Sequence, residues 1–568
     1  MSHARHLNPV ARFASAAAAT ALLLSIGQAT AEPDLVILGG PIYTARDDQP
    51  RTEAVAVEDG VISYVGNAVW AEALISARTT VIDLAGKTMT PGFVDSHAHL
   101  FGIGMRELTL NLEDVKSIAE LVETVETRVK NAQPGEVIFG RGWIETHWPE
   151  ARFPTAADLD TVSPDNPLLL QRADGHAMVV NAATLATAGI DDQTPDPEGG
   201  QILRDAAGRA TGMLIDNAME LVRSLLPEPT GAERGNGLTR GAEAAQRLGW
   251  TGMHNMSVDW QDVLLLEELS DAGRIKLRVY NSVDSKGEGP ARLLADGLRT
   301  SANGRIVTRA IKFYLDGALG SRGAALLEPY SDADGMGLLL ADRQAVMPVW
   351  TAALKAGIQI NTHAIGDRAN RLLLDWYEQA FEAVPEGERA IALPRWRDEH
   401  TQIVHPDDIS RFAALGIIPS MQPSHAIGDL HFAPARLGQD RLAGAYAWRS
   451  LIDAGAIIAG GSDAPVEKGD PVNEFYAATI RKDMRGFSGE GWHPEQAVSR
   501  TEALKMFTAW AAYASFQEEE LGTIAVGKRA DFTIFSTDIM TAPEDKLRTA
   551  RAVMTIIDGE IVARSDGN

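Results

Sequence analysis

The sequence predicts an α/β protein: a closed (β/α)8, TIM-like barrel, a small β-sandwich domain built from both termini, and a subdomain inserted after the first barrel strand. Three observations predict it. Eight short apolar runs, most with helical stretches between them, recur from residue 92 to residue 463. Both ends of the mature chain read as short strands separated by Gly and Asp turns. The stretch at about 101–249 is far too long for one strand-to-helix connection.

Taken in order, residues 1–31 read as a signal peptide, with a flexible extension as the alternative. Arg5 and Arg12 give a positive n-region, and "FASAAAATALLLSIG" is an apolar core too short to span a membrane. "ATA" at 29–31 is an A-x-A site, so cleavage after Ala31 and a periplasmic or secreted protein are expected. No later segment is long and apolar enough to anchor the chain, and without cysteine there is no lipobox.

Strand-like runs follow in "DLVILGGPIYT", "EAVAVEDGVISYVG" and "TTVIDLAGKTMTPG", and the same texture returns in "GKRADFTIFS" and "AVMTIIDGEIVA". Residues 32–90 and 520–568 are therefore assigned to one composite β domain, and 91–519 to the barrel. The barrel strands are "GFVDSH" (92–97), "WTGMHNMS" (250–257), "KLRVYNSV" (276–283) and "TRAIKFYL" (308–315). They continue with "GIQINTHA" (357–364), "WRDEHTQIV" (396–404), "GIIPSMQP" (416–423) and "AIIAGGSD" (456–463). The inserted stretch holds two helical segments, "SIAELVETVETRVKNA" and "GAERGNGLTRGAEAAQRLG", amid irregular Pro- and Gly-rich sequence.

Composition narrows the function. With 568 residues, 45% apolar and 23% charged, the chain has the balance of a soluble multidomain protein. A net charge of −25, spread along the chain, argues against nucleic acid or an anionic membrane as partner. The expected partner is a small-molecule substrate, with a homodimer left open. Cysteine is absent, which excludes disulfides, a thiolate zinc site and a cysteine nucleophile. Any metal must rest on histidine, carboxylate or modified lysine.

"TPGFVDSHAHL" holds His97 and His99 on one strand face, with Ala98 turned away. Alone, this pair fits a solvated strand end as well as a metal site. Chemistry in such barrels gathers at the C-terminal strand ends, and other polar residues stand there. Lys312 lies in the fourth strand, His363 ends the fifth, His400 lies in the sixth and Asp463 ends the eighth. Three N/O ligands plus water suit a catalytic zinc, and five or six suit a pair. A lysine ammonium is a poor ligand, whereas a carbamate formed with carbon dioxide is anionic and bridges two cations. The alternative for Lys312 is an ion pair with a carboxylate such as Asp316. For Asp463, in "GGSDAP", it is a helix N-cap or a turn.

The stretches "PGFVDSHAHL", "LLLQRADGHAMVVNAATLATAGI", "IKFYLDGALGSRGAAL", "NTHAIGDRA", "DEHTQIV", "GGSDAPV" and "LGTIAVGKRADFTIF" together carry a family resemblance. The chain resembles the amidohydrolase superfamily, in particular the YtcJ-like, amidohydrolase-3 branch that includes N-substituted formamide deformylases. The match runs from about residue 35 to the C-terminus. It implies a distorted TIM barrel with a β-sandwich from both termini, and one or two divalent metals. Zinc is the default, with manganese and iron as alternatives. By the resemblance, His97, His99 and Asp463 hold the more buried metal, His363 and His400 the second, and Lys312 bridges them as a carbamate. Such cations make hydroxide available near neutrality and polarise a carbonyl. Asp463 then shuttles the proton from water to the leaving amine. The expected reaction is hydrolysis of an amide-like C–N bond in an N-acyl or N-formyl small molecule. Ester, carbamate or lactone hydrolysis at the same centre is the alternative, and a non-catalytic periplasmic binding protein a more distant one.

Other polar residues have weaker claims. Asp95 either orients an imidazole or caps the strand end. His176, in "RADGHA", and Arg172 are candidates to touch substrate. Trp143, with Trp148, is a candidate pocket wall, against ordinary insertion core. His254 and His405 are read as structural, and His425 and His431 as pocket rim.

Overall fold

The computed structural model describes residues 32–565, except 114, 146–147, 174, 176, 198–199 and 490. The signal-peptide reading of residues 1–31 and the substrate reading of His176 lie outside the described residues.

The barrel strands are Phe93–Ala98, Trp250–Val258, Arg278–Asp284, Ile306–Tyr314, Gln359–Ala364, Arg397–His400, Ile418–Met421 and Ala459–Gly460. Each falls on one of the eight apolar runs, and every consecutive pair is parallel. Nearly every residue of the first two is buried, as expected of parallel strands covered on both faces. The sheet closes where the exit of the eighth strand meets the first. There the Asp463 N–H donates to His97 O at 2.7 Å and the His99 N–H to Ala464 O at 2.8 Å. Three candidate ligands are thus hydrogen-bonded into the closing seam itself.

The β domain is one eight-stranded sheet. Its N-terminal strands, among them Leu35–Tyr43, Arg51–Glu58 and Thr88–Pro91, join the C-terminal Phe532–Phe535, Ala552–Ile557 and Glu560–Arg564. The junction is an antiparallel pair in which Phe532 faces Pro91. Ile37 and Val55 share an apolar cluster with Phe532, Ile534 and Ile556, so the sheet folds over a core of its own. Burial ties it to the barrel. Phe93 stacks on Phe507 at 5.7 Å and meets Phe535 edge-on at 5.0 Å. Arg278, on the third barrel strand, donates to Asp531 and Asp558 of the β domain.

The insertion is more ordered than its irregular sequence predicts. Six strands between Leu110 and Asp216 form a separate sheet, with Ile118–Val129 packed as its helix. Helices Leu100–Leu108 and Gly231–Leu248, the second expected inside the insertion, instead pack on each other beside the second barrel strand. Glycine makes this possible. A Cβ on Gly104 would lie 1.7 Å from Gly237 O, and one on Gly241 2.2 Å from Leu100 O.

Candidate metal centre

The site follows from strand register. Tyr314 pairs with His363 across the fourth and fifth strands, and Ala364 with His400 across the fifth and sixth. Lys312, two residues before Tyr314, shares its strand face. Two ligand candidates depart from regular strand geometry: His400 has φ +81° and Asp463 φ +63°. Left-handed backbone is costly for residues with a Cβ and is concentrated at functional sites. Here it turns both side chains toward the centre.

His97 is fully buried, and its Nδ1 lies 2.6 Å from Glu399 Oε2. That acceptor fixes the tautomer and leaves Nε2 without a hydrogen-bond partner. Nε2 lies 3.6 Å from Asp463 Oδ1. His99 approaches the same oxygen, with Nε2 at 3.0 Å, while its Nδ1 meets Met256 O at 3.2 Å. His400 Nδ1 bonds Gln422 Oε1 at 2.8 Å. The His400 ring centroid lies 4.6 Å from both His97 and His363. His363 Nε2 is buried without a hydrogen bond, 3.5 Å from Asp316 Oδ1.

Burial keeps two of these imidazoles neutral: it pushes His97 down to about 4 and His363 to about 3, and Lys312 adds to both. His400 is held well below its usual range for the same first reason. Burial alone would raise the Asp463 carboxyl, but its bond from His99 helps hold it well below the usual range. The result is a carboxylate beside the neutral imidazoles of His97 and His400, the donor state a divalent cation requires.

Lys312 is 1% exposed, and burial pushes it down to about 8. The alternative pairing with Asp316 is not made. That carboxylate accepts the N–H groups of Ala325, Ile365 and Gly366 at 2.8, 2.9 and 2.8 Å, pinning two loops together. Lys312 lies over the Tyr314 ring instead, Nζ 5.4 Å from its centroid.

Among the described residues, His97, His400 and Asp463 are the one group of three whose ligand atoms all lie within 4.8 Å of one another. This trio crosses the division implied by the resemblance, taking His400 together with His97 and Asp463. Unpaired buried imidazole nitrogens converging on an ionised carboxylate fit a divalent metal.

Residues further out separate clearly. Asp95 accepts from Ser462 N–H at 2.8 Å and from the His97 N–H at 3.2 Å, so it straps the closing seam and orients no imidazole. His254 is structural, with its Nδ1 at 2.8 Å from Arg397 Nη1. His425, read as rim, is buried beside the centre, with Nε2 at 3.5 Å from Asp463 Oδ2. His405 bonds the Asp407 N–H in a turn, and His431 packs on Phe487. Trp143 is fully enclosed in the insertion core, bonding Leu170 O at 2.8 Å and packing on Trp148. Arg172 is held by Glu145 at 2.7 Å.

Three residues were missed from sequence. Glu399 and Arg397 form a buried pair at 2.7 Å behind His97, and Gln422 supports His400. The alternation in "RDEH" puts Arg397 and Glu399 on one face, but nothing local says that this face meets His97, 302 residues away.

A parallel α/β sheet nearly closed into a barrel, with buried His, Asp and Lys gathered at its strand ends, fits a metal-dependent hydrolase. The chain belongs to the amidohydrolase family, which matches residues 80–563. It is 34% identical over 538 residues to the "Putative amidohydrolase YtcJ" of Bacillus subtilis (strain 168), covering 92% of this chain and 98% of that protein. It is 28% identical to the N-substituted formamide deformylase of Arthrobacter pascens, over 93% of this chain and 97% of that one. An uncharacterized metal-dependent hydrolase from Pyrococcus horikoshii OT3 superposes with a TM-score of 0.73 at 26% identity, covering 90% of this chain and 99% of that structure.

Proposed function

We propose that this enzyme is exported and hydrolyses an amide-like C–N bond in an N-acyl or N-formyl small molecule. The observation that carries the reading is the convergence of the His97, His99 and His425 imidazoles on the ionised Asp463, with His97 Nε2 and His425 Nε2 buried and without a hydrogen bond. Similarity to a formamide deformylase over nearly the whole of both chains supports the substrate class.

His97, His99, His363, His400 and Asp463 would hold one or two divalent cations, zinc by preference, with Lys312 between them as a carbamate. A cation there supplies the Lewis acidity that acidifies a water and polarises a carbonyl. Asp463 holds and moves the proton: Oδ1 faces His97 and His99, and Oδ2, 3.5 Å from His425, is free to accept it and deliver it to the departing amine. An amide nitrogen leaves poorly unless protonated, so this delivery matters more for an amide than for an ester. Burial supports the carbamate as well, because a lysine near 8 keeps a neutral amine fraction able to add to carbon dioxide.

The test is metal analysis of purified protein beside a panel of N-formyl and N-acyl amides and matching esters. Chelation should abolish turnover, and zinc or manganese should restore it. Full activity in metal-free protein would end the reading, and a preference for esters would move the substrate class. Export is checked by sequencing the N-terminus of natively produced protein, expected at Glu32.

A further inference from the structure

A cavity of about 260 Å³ opens at the seam between the β domain and the barrel, and shares no lining residue with the metal centre. Tyr43, Arg46 and Arg51 line it from the β domain, and Arg500, Leu504 and Lys505 from helix Arg500–Met506. Four of these side chains are cationic and, among the described residues, no carboxylate lines the cavity, although Asp and Glu (77) outnumber Lys and Arg (52) in the chain.

The cations are incompletely neutralised. Arg46 and Lys505 pair with Asp48 and Asp47, whose side chains are 70% and 84% exposed. Exposed pairs of this kind contribute little and exchange readily. Arg500 donates to two main-chain carbonyls, Ile539 O at 2.9 Å and Ala542 O at 2.6 Å. Arg51 donates to the Tyr43 hydroxyl at 2.6 Å and lies over that ring at 4.5 Å. Asp538 faces this group but is engaged by the Tyr43 hydroxyl at 3.0 Å.

We propose that this seam cavity is a binding site for a small multivalent oxyanion of the phosphate or dicarboxylate class, held between Arg51 and Arg500. Guanidinium groups bind such anions with paired, charge-assisted hydrogen bonds. Arg46 and Lys505 reach it by exchanging their exposed partners. The cavity exceeds the size of a bare phosphate, leaving room for an organic body against Leu504. Because the cations come from two domains, a bound anion relieves repulsion across the seam and stabilises the folded protein.

Isothermal titration of the mature enzyme with inorganic phosphate, and separately with succinate, tests this at fixed ionic strength. Both metal-loaded and metal-free protein are titrated. Saturable binding of one ion per chain is expected in both forms, with a rise in Tm, and the tighter probe names the class. Arg51→Glu should weaken binding about tenfold or more, as expected for losing one charge-assisted bond, and leave kcat unchanged. Lys505→Gln should weaken it less, and serves if Arg51→Glu does not fold. The proposal is overturned if neither probe saturates. Equal affinity in the variants shows an adventitious ion only, and binding confined to metal-loaded protein puts the anion at the metal centre.

Discussion

Asp463 and His97 meet at one centre but should fail differently when altered. Asp463→Asn keeps a coordinating amide oxygen and loses the basic carboxylate, so kcat should fall by about 10²–10⁴-fold with most metal retained. His97→Ala removes a buried nitrogen whose other face is fixed by Glu399, and should lower metal content itself. Metal stoichiometry and kcat on the same preparations separate the two roles. Near wild-type turnover by metal-loaded Asp463→Asn would take proton transfer away from that residue. Gln422 extends the argument outward: losing its bond to His400 in Gln422→Leu should weaken metal affinity about 10–100-fold, the usual cost of removing a group that orients a ligand. A competition titration with a chelator reads this directly, and unchanged affinity would make Gln422 a packing residue.

Between elements, the contact of helices Leu100–Leu108 and Gly231–Leu248 sets how the chain leaves the first barrel strand and returns to the second. Gly104→Ala places a methyl 1.7 Å from Gly237 O, so the helices must separate. A cost of about 1–3 kcal/mol is expected, as for other overpacked interfaces. Gly231→Ala, at the start of the second helix with open space around it, should be neutral or stabilising by about 0.5–1 kcal/mol. Urea midpoints of the two variants make the comparison; equal effects would mean that close approach is not what glycine serves here. This pair also shows why the insertion was misjudged from sequence. "GAERGNGLTRGAEAAQRLG" is legible as a helix, but its glycines record a neighbour that only the tertiary structure supplies.

At the scale of the molecule, the β domain and the barrel are joined through Arg278. Asp558 receives Arg278 and, at 2.9 Å, Arg305. Burial alone would raise its carboxyl, but these guanidinium groups hold it below the usual range. Its folded pKa therefore lies below its unfolded value of about 3.9, so it contributes stability above roughly pH 4 that is lost as pH falls through the folded value. Asp558→Asn should be less stable than wild type at pH 7, and the gap should shrink in acid below roughly pH 4. Denaturant midpoints across that range test it, and a pH-independent gap would mean that the carboxylate's charge is not what joins the domains.

What the sequence determined by itself was the barrel and the polar residues gathered at its strand ends. Eight apolar runs carry their own periodicity, and His97, His99, Lys312, His363, His400 and Asp463 each stand at a strand end, where parallel topology brings distant positions together. The terminal strands were legible for the same reason. Tertiary structure decided whatever depends on a partner far away in the chain. Glu399 is unremarkable until the barrel closes and sets it against His97, and Asp316 looks like a mate for Lys312 until three backbone N–H groups claim it. Trp143 could have faced substrate or core, and the insertion's own sheet put it in the core. Periodicity records which face of an element is buried; what that face meets is set by long-range packing.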